Sequence, residues 1–163
     1  MDSLIVFVAT YFLYLGVIVT LWFWWRCERT TKIELLVRLV AGGLLALALA
    51  AIGGRLYYDP RPFVTEHVAP LFAHAADNGF PSDHALLTSF LGFTVLMYSR
   101  KVGAILLAVA VAVGAARVAA HVHSARDIVG SFVFSALAAL IVARLTTSPR
   151  LGARWGRHRA RRG

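Results

Sequence analysis

Five of the six histidines, at positions 67, 74, 84, 121 and 123, fall in two stretches of the chain. The same stretches carry Arg55, Asp59, Arg61, Glu66, Asp77, Asp83, Arg117, Arg126 and Asp127. These residue types support a definite chemistry. An arginine presents a planar fork of donors to phosphate oxygens. An imidazole attacks an electrophile when one nitrogen is unprotonated and the ring is held in place. Asp127 follows His123 by four residues, one turn if the segment opens a helix, so its carboxylate can accept from one ring nitrogen and leave the other free. Pro81-Ser82 reads as a helix start, where Ser82 can cap the helix or donate to an anion, and the unpaired N–H groups after it face that anion. A cap alone does not account for His84 two residues later. His84, His121, His123 and Asp127 are also the types that ligate zinc. None of the usual zinc spacings is present, and the arginines nearby oppose a cation, so neither metal nor cofactor is expected.

The elements that must hold these groups are apolar. The 163-residue chain is 59% hydrophobic and 15% charged, against about 25% charged in soluble domains. Leu4–Trp25 is uncharged and long enough to span a bilayer. No positive charge precedes it, and Arg26 and Arg29 stand where a cleavage site would lie, so it reads as a span rather than a signal peptide. Trp22, Phe23, Trp24 and Trp25 fit an interfacial belt. Further apolar runs cover Leu35–Ile52, His84–Tyr98, Val102–Ala120 and Ile128–Ala143. The expected fold is therefore an all-α, polytopic membrane bundle of about five transmembrane helices. Residues 1–145 would form one domain and 146–163 a basic tail. The single cysteine, Cys27, excludes an intrachain disulfide, and it reads as an ordinary juxtamembrane thiol or a palmitoylation site.

Five spans divide the connections between two faces. One face, counting Arg38, holds 13 of the 17 Lys and Arg; the other holds Arg55, Arg61, Arg117 and Arg126. The positive-inside rule makes the first face cytoplasmic, with the N-terminus out and the C-terminus in. The basic tail then meets anionic lipid rather than nucleic acid. The histidine-rich face is the outer one. A transporter or proton relay would spread ionisable groups through the bilayer depth, whereas here they gather at one face and the helix midsections are apolar.

Three segments stand in order on that face: Tyr57-Tyr58-Asp59-Pro60-Arg61-Pro62-Phe63, then Phe80-Pro81-Ser82-Asp83-His84, then Arg117, five residues, His123, three residues and Asp127. Together they resemble the type-2 phosphatidic acid phosphatase superfamily, whose signatures are Lys-x6-Arg-Pro, Pro-Ser-Gly-His and Ser-Arg-x5-His-x3-Asp. The resemblance runs from about residue 54 to 131. Within it, Tyr57–Phe63, His74-Ala75-Ala76-Asp77 and Phe80–His84 look most like bacterial undecaprenyl-pyrophosphate phosphatases. There are departures. Gly54 stands where the first-motif lysine would be, with Arg55 one residue on. Asp83 replaces a glycine, Ala116 replaces the serine before Arg117, and Ser124-Ala125-Arg126 is unusual before Asp127.

The resemblance implies hydrolysis of a lipid phosphate or diphosphate through a phosphohistidine. It assigns His123 as nucleophile, in preference to His121, with Asp127 orienting it and His84 as general acid and later base. It implies phosphate binding by Arg61, Arg117, Ser82 and Asp83, with Arg55 and Arg126 as further candidates. It also implies a six-helix enzyme, one helix more than the apolar runs here. The expected substrate is undecaprenyl pyrophosphate, met at the outer face of the cell membrane during recycling of the cell-wall carrier lipid. The expected partners are that polyprenyl diphosphate and membrane lipid, with no nucleic acid. The alternative is another lipid phosphate: phosphatidylglycerol phosphate, phosphatidic acid or a polyprenyl-linked sugar phosphate.

Overall fold

The structure, a computed structural model, describes residues 1–146. Among them are six helices: α1 (Asp2–Arg26), α2 (Arg29–Leu56), α3 (Pro62–Thr65), α4 (Asp83–Leu96), α5 (Arg100–Ala119) and α6 (Ala125–Leu145). The expected basic tail lies outside the described residues, Thr146 excepted. α1, α2, α5 and α6 are each long and apolar enough to cross a membrane. Their outward side chains are large and apolar, including Phe7, Ile18, Leu44, Val111, Val129 and Leu140. Water would penalise such a surface, and hydrocarbon does not.

α2 is longer than its apolar run. Its polar first turns from Arg29 are helical, and it continues through Gly53-Gly54 to Leu56. α4 is short, about 21 Å at 1.5 Å per residue, which is less than a hydrocarbon core. It sits at the centre of the bundle, packed against α1, α2, α5 and α6. Nine of its fourteen residues are buried, so protein rather than lipid surrounds it. Serines bind it to α6. Ser131 Oγ donates to Ser82 O (2.9 Å), Ser135 Oγ to Leu86 O (2.7 Å), and Ser89 Oγ to Ser135 Oγ (2.9 Å). Small side chains allow this approach and their hydroxyls replace water as partners. On α2, Gly42 leaves room for the Phe90 ring, which a Cβ would meet at 2.8 Å.

The end of the bundle formed by the C-termini of α1 and α6 and the N-termini of α2 and α5 has its own polar anchor. Arg38 is buried, pairs with Glu34 at 2.7 Å, donates to Thr146 Oγ1 at 2.9 Å and lies over the Tyr98 ring. It joins α2, the α4–α5 turn and the end of α6. At the opposite end the connections 57–82 and 120–124 meet, and every histidine among the described residues lies there.

Candidate active site

The 57–82 connection is long, and its order comes from one amide. Asn78 Oδ1 accepts from the backbone N–H groups of Asp59 (2.9 Å) and Phe80 (3.1 Å), while its Nδ2 donates to Gly54 O (2.8 Å) and Tyr57 O (3.1 Å). All four hydrogen-bonding capacities of the side chain are thereby used. Gly79 N–H donates to Asp59 O at 2.8 Å, which closes the connection on itself. Phe63 N–H to His121 O (3.1 Å) and Leu71 N–H to Ala120 O (3.2 Å) then dock it on the turn between α5 and α6. Ser124 Oγ adds a 2.6 Å bond to Asp59 Oδ2. That turn reverses through His121, whose φ is 60°.

His123 and Asp127 straddle the start of α6. Ser124 is the N-cap, and its side chain and that of Asp127 form a reciprocal capping box. Asp127 Oδ2 thus accepts from Ser124 N–H at 2.8 Å and faces His123 Nδ1 at 3.2 Å. Gly79 O faces the same nitrogen at 3.0 Å. Two acceptors require the proton on Nδ1. Nε2 faces Arg61 Nη1 at 3.4 Å and Arg117 Nη2 at 3.3 Å, two donors with no lone pair to offer. Both sides of the ring therefore select one tautomer, with the lone pair on Nε2. Burial, reinforced by the two guanidinium charges and opposed by the Asp127 bond, holds the His123 pKa below the ordinary histidine value.

Gly79 is needed for this arrangement. A Cβ there would lie 2.8 Å from Asp127 Oδ2 and 3.1 Å from Asp59 O.

Arg61 is buried and heavily used. Its Nε meets Asp77 Oδ1 at 2.7 Å, Nη1 donates to Val122 O at 2.7 Å, and Nη2 reaches Asn78 O only at 3.5 Å. The hydrogen bond from Arg61 keeps the Asp77 carboxyl below the usual carboxylate range. Arg117 is also buried, rests over the Phe72 ring at 5.4 Å, and has Nη2 3.0 Å from His74 Nε2. Its Nε has no hydrogen-bond partner among the described residues, and neither has the fully buried Ser82 hydroxyl. Ser82 occupies the N-cap of α4 but makes no side-chain cap bond, so its hydroxyl is not spent there. His84 is half-buried in the first turn, with Arg117, His123 and His74 as its ionisable neighbours. Asp83 is exposed beside it.

The other candidates stand apart. His121 is 3.8 Å from Glu66, not at the arginine pair. Arg55 is exposed on the last turn of α2. A Cβ on Gly54 would lie 3.0 Å from Phe80 O, so the lysine position of the first motif is here a packing contact. Arg126 is exposed beside Tyr57 and Asp59. The described residues include no group of three or more histidine, cysteine or acidic side chains arranged to hold a metal. Asn78 is the residue that motif reading missed, although Asn-Gly is a turn signal.

The family profile of the PAP2 superfamily matches residues 31–150. The chain belongs to the PAP2 superfamily. Over 143 residues it is 37% identical to the bacitracin transport permease protein BcrC of Bacillus licheniformis, covering 86% of this chain and 67% of the relative. Over 137 residues it is 30% identical to the undecaprenyl-diphosphatase BcrC of Bacillus subtilis, covering 82% and 68%. The fold is similar to that of LpxE from Aquifex aeolicus, with TM-score 0.65, 24% identity, and 88% and 87% of the two chains covered. It is also similar to a transmembrane PAP2-type phosphatidylglycerolphosphate phosphatase from Bacillus subtilis, with TM-score 0.58, 20% identity, and 88% and 75% covered. This PAP2 protein is a multi-pass membrane protein and a lipid-phosphate hydrolase.

Proposed function

We propose that the protein hydrolyses undecaprenyl pyrophosphate to undecaprenyl phosphate and inorganic phosphate through a phosphohistidine on His123. The observation that carries the reading is the His123 ring itself, with Nδ1 held by Asp127 and Gly79 O and the Nε2 lone pair aimed between two arginines. Nε2 attacks the terminal phosphorus, the bridging P–O bond breaks, and the lipid phosphate leaves with its electron pair. Arg117 Nε and the Ser82 hydroxyl, neither with a protein partner, donate to the phosphoryl oxygens. The free N–H groups at the start of α4, Asp83 among them, add to this, and Arg61 supplies positive charge behind the ring. His84 protonates the leaving oxygen where needed, then takes a proton from the water that cleaves the phosphohistidine. Arg55 and Arg126, exposed at the same end of the bundle but apart from the arginine pair, are the candidates for a second phosphate. The similarity to the undecaprenyl-diphosphatase BcrC of Bacillus subtilis supports the diphosphate substrate. The split of basic residues supports an outward-facing site in the cell membrane, N-terminus out and C-terminus in.

Phosphate release by purified protein across undecaprenyl diphosphate, undecaprenyl phosphate, phosphatidylglycerol phosphate and phosphatidic acid tests this. We expect the diphosphate to have the highest kcat/KM, and acid-labile label from its terminal phosphate to be trapped on wild type. His123→Ala should lose about 10³-fold or more in rate and trap no label. A preference for a glycerolipid phosphate would move the substrate assignment, and an active His123→Ala would remove the nucleophile.

A further inference from the structure

The His74 imidazole is the third ring in the site, and none of the three signature segments contains it. It stands on the long connection, yet it reaches the centre. Its ring centroid is 6.0 Å from that of His123, at 80° between planes, and its Nε2 is 3.0 Å from Arg117 Nη2. A guanidinium only donates, so this contact is a bond only when Nε2 carries a lone pair. The proton then sits on Nδ1, which is buried and makes no hydrogen bond among the described residues, the Ala75 backbone being its polar neighbour. Two residues earlier on the same strand of chain, Phe72 lies under the Arg117 guanidinium at 5.4 Å. One segment, tied to the α5–α6 turn through Leu71 N–H and Ala120 O, therefore holds Arg117 by a ring face and by an acceptor, and leaves its Nε unpartnered. The first-motif lysine, which would stand at Gly54, is replaced by a backbone packing contact.

We propose that His74 is a positioning residue of the phosphoryl-transfer site, a neutral imidazole whose Nε2 lone pair fixes the Arg117 guanidinium so that its free edge meets the phosphate. The proposal rests on the phosphatase reading of the site. It gives the missing lysine a consequence: with fewer cations, the placement of Arg117 matters more. Protonation of His74 would turn the acceptor into a donor and break the contact. The groups facing it are Arg117 from α5, His123 from the α5–α6 turn, Arg61 from the start of α3, His84 from α4, and Asp77 on its own connection. Burial and the two arginines keep its pKa below the ordinary histidine value, so the neutral form prevails at pH 7.

The test uses full-length protein in detergent, with undecaprenyl diphosphate as substrate, and compares His74→Gln, His74→Asn and His74→Leu. Glutamine places its amide oxygen near the Nε2 position, whereas asparagine reaches only to the Nδ1 position. We expect Asn and Leu to lose about 10²-fold in kcat/KM, the scale of a misplaced binding group, and Gln to recover most of that loss. Gln should also show an acid limb of kcat/KM shallower than wild type by one proton. Gln and Asn equally impaired, Gln and Asn both equal to wild type, or a Gln acid limb unchanged from wild type would each overturn the role. The Gln–Asn contrast decides even where Leu fails to fold. His123→Ala inactive beside fully active His74 variants removes this inference alone. Wild type inactive on every lipid phosphate removes the phosphatase reading and this role with it.

Discussion

At the scale of the residue, the site turns on which nitrogen of His123 keeps its lone pair. The capping box makes Asp127 serve two purposes, since one carboxylate oxygen caps α6 and orients the imidazole. Replacing it by asparagine keeps the volume and offers Nδ1 an amide donor as readily as an acceptor. The ring can then flip tautomer and lose the Nε2 lone pair that the proposed attack requires. We expect Asp127→Asn to lower kcat by about 10³- to 10⁴-fold, as loss of the orienting carboxylate does in serine-protease triads, with thermal unfolding in detergent reporting any loss of the cap separately. A variant within about tenfold of wild type would mean that Gly79 O suffices to hold the tautomer. The pH dependence has a definite sign. Burial lowers the His123 pKa, so the neutral form persists below the ordinary histidine range, and kcat/KM should fall only as pH drops through that lowered value. The His123–Asp127 pair was legible in the sequence because a four-residue spacing is local. The contact of His74 with Arg117 was not, although its stretch was noted, because it spans 43 residues through a connection with no periodicity.

At the scale of the element, the apolar runs located every long helix, and the errors lie at the ends. The Arg29–Glu34 stretch and Gly53–Leu56 are polar or glycine-rich, yet tertiary packing keeps them in α2. The 57–82 connection could not be read the same way. Its shape depends on Asn78 and on three small contacts, Gly54 with Phe80 O, Gly79 with Asp127, and Ser124 with Asp59. These are single-atom requirements without a pattern in the chain. They also predict where a conservative change does damage. Gly79→Ala adds one methyl 2.8 Å from Asp127 Oδ2 and 3.1 Å from Asp59 O, with backbone on one side and a capping carboxylate on the other. Neither can move freely. We expect a loss of about 10²-fold in kcat from displacement of the Asp127–His123 pair, measured on undecaprenyl diphosphate. Gly43→Ala is the control, since its Cβ would meet only the Phe90 ring at 3.6 Å. Equal activity of the two variants would show that the connection yields at Gly79.

At the scale of the whole molecule, the two ends of the bundle differ in kind. One end carries the imidazoles and arginines of the site. The other carries buried Arg38 paired with the half-buried Glu34, with Lys32 over the Trp24 ring and Arg26 near Trp22. Tryptophan with a basic neighbour is the composition of a membrane interface, and the proposed topology makes this the cytoplasmic one on the strength of the basic excess. Arg38 itself is internal, bonded to Glu34 and Thr146, so the bias rests on the other twelve residues of that face. The margin remains wide, and orientation decides which leaflet supplies the substrate, because the phosphate must reach His123 from the aqueous side of that end. Cys27 lies at the basic end, half-buried with its thiol directed to Phe23 O, and its replacement by alanine gives a background without cysteine. Into that background a single cysteine can be placed at His67, which is exposed on the long connection, or at Ser148 in the basic segment. With an impermeant maleimide on intact cells, we expect position 67 to react and position 148 to react only after permeabilisation. Labelling at 148 from outside, with 67 protected, would put the site in the cytoplasm. It would also exclude a lipid diphosphate released at the outer leaflet as its direct substrate.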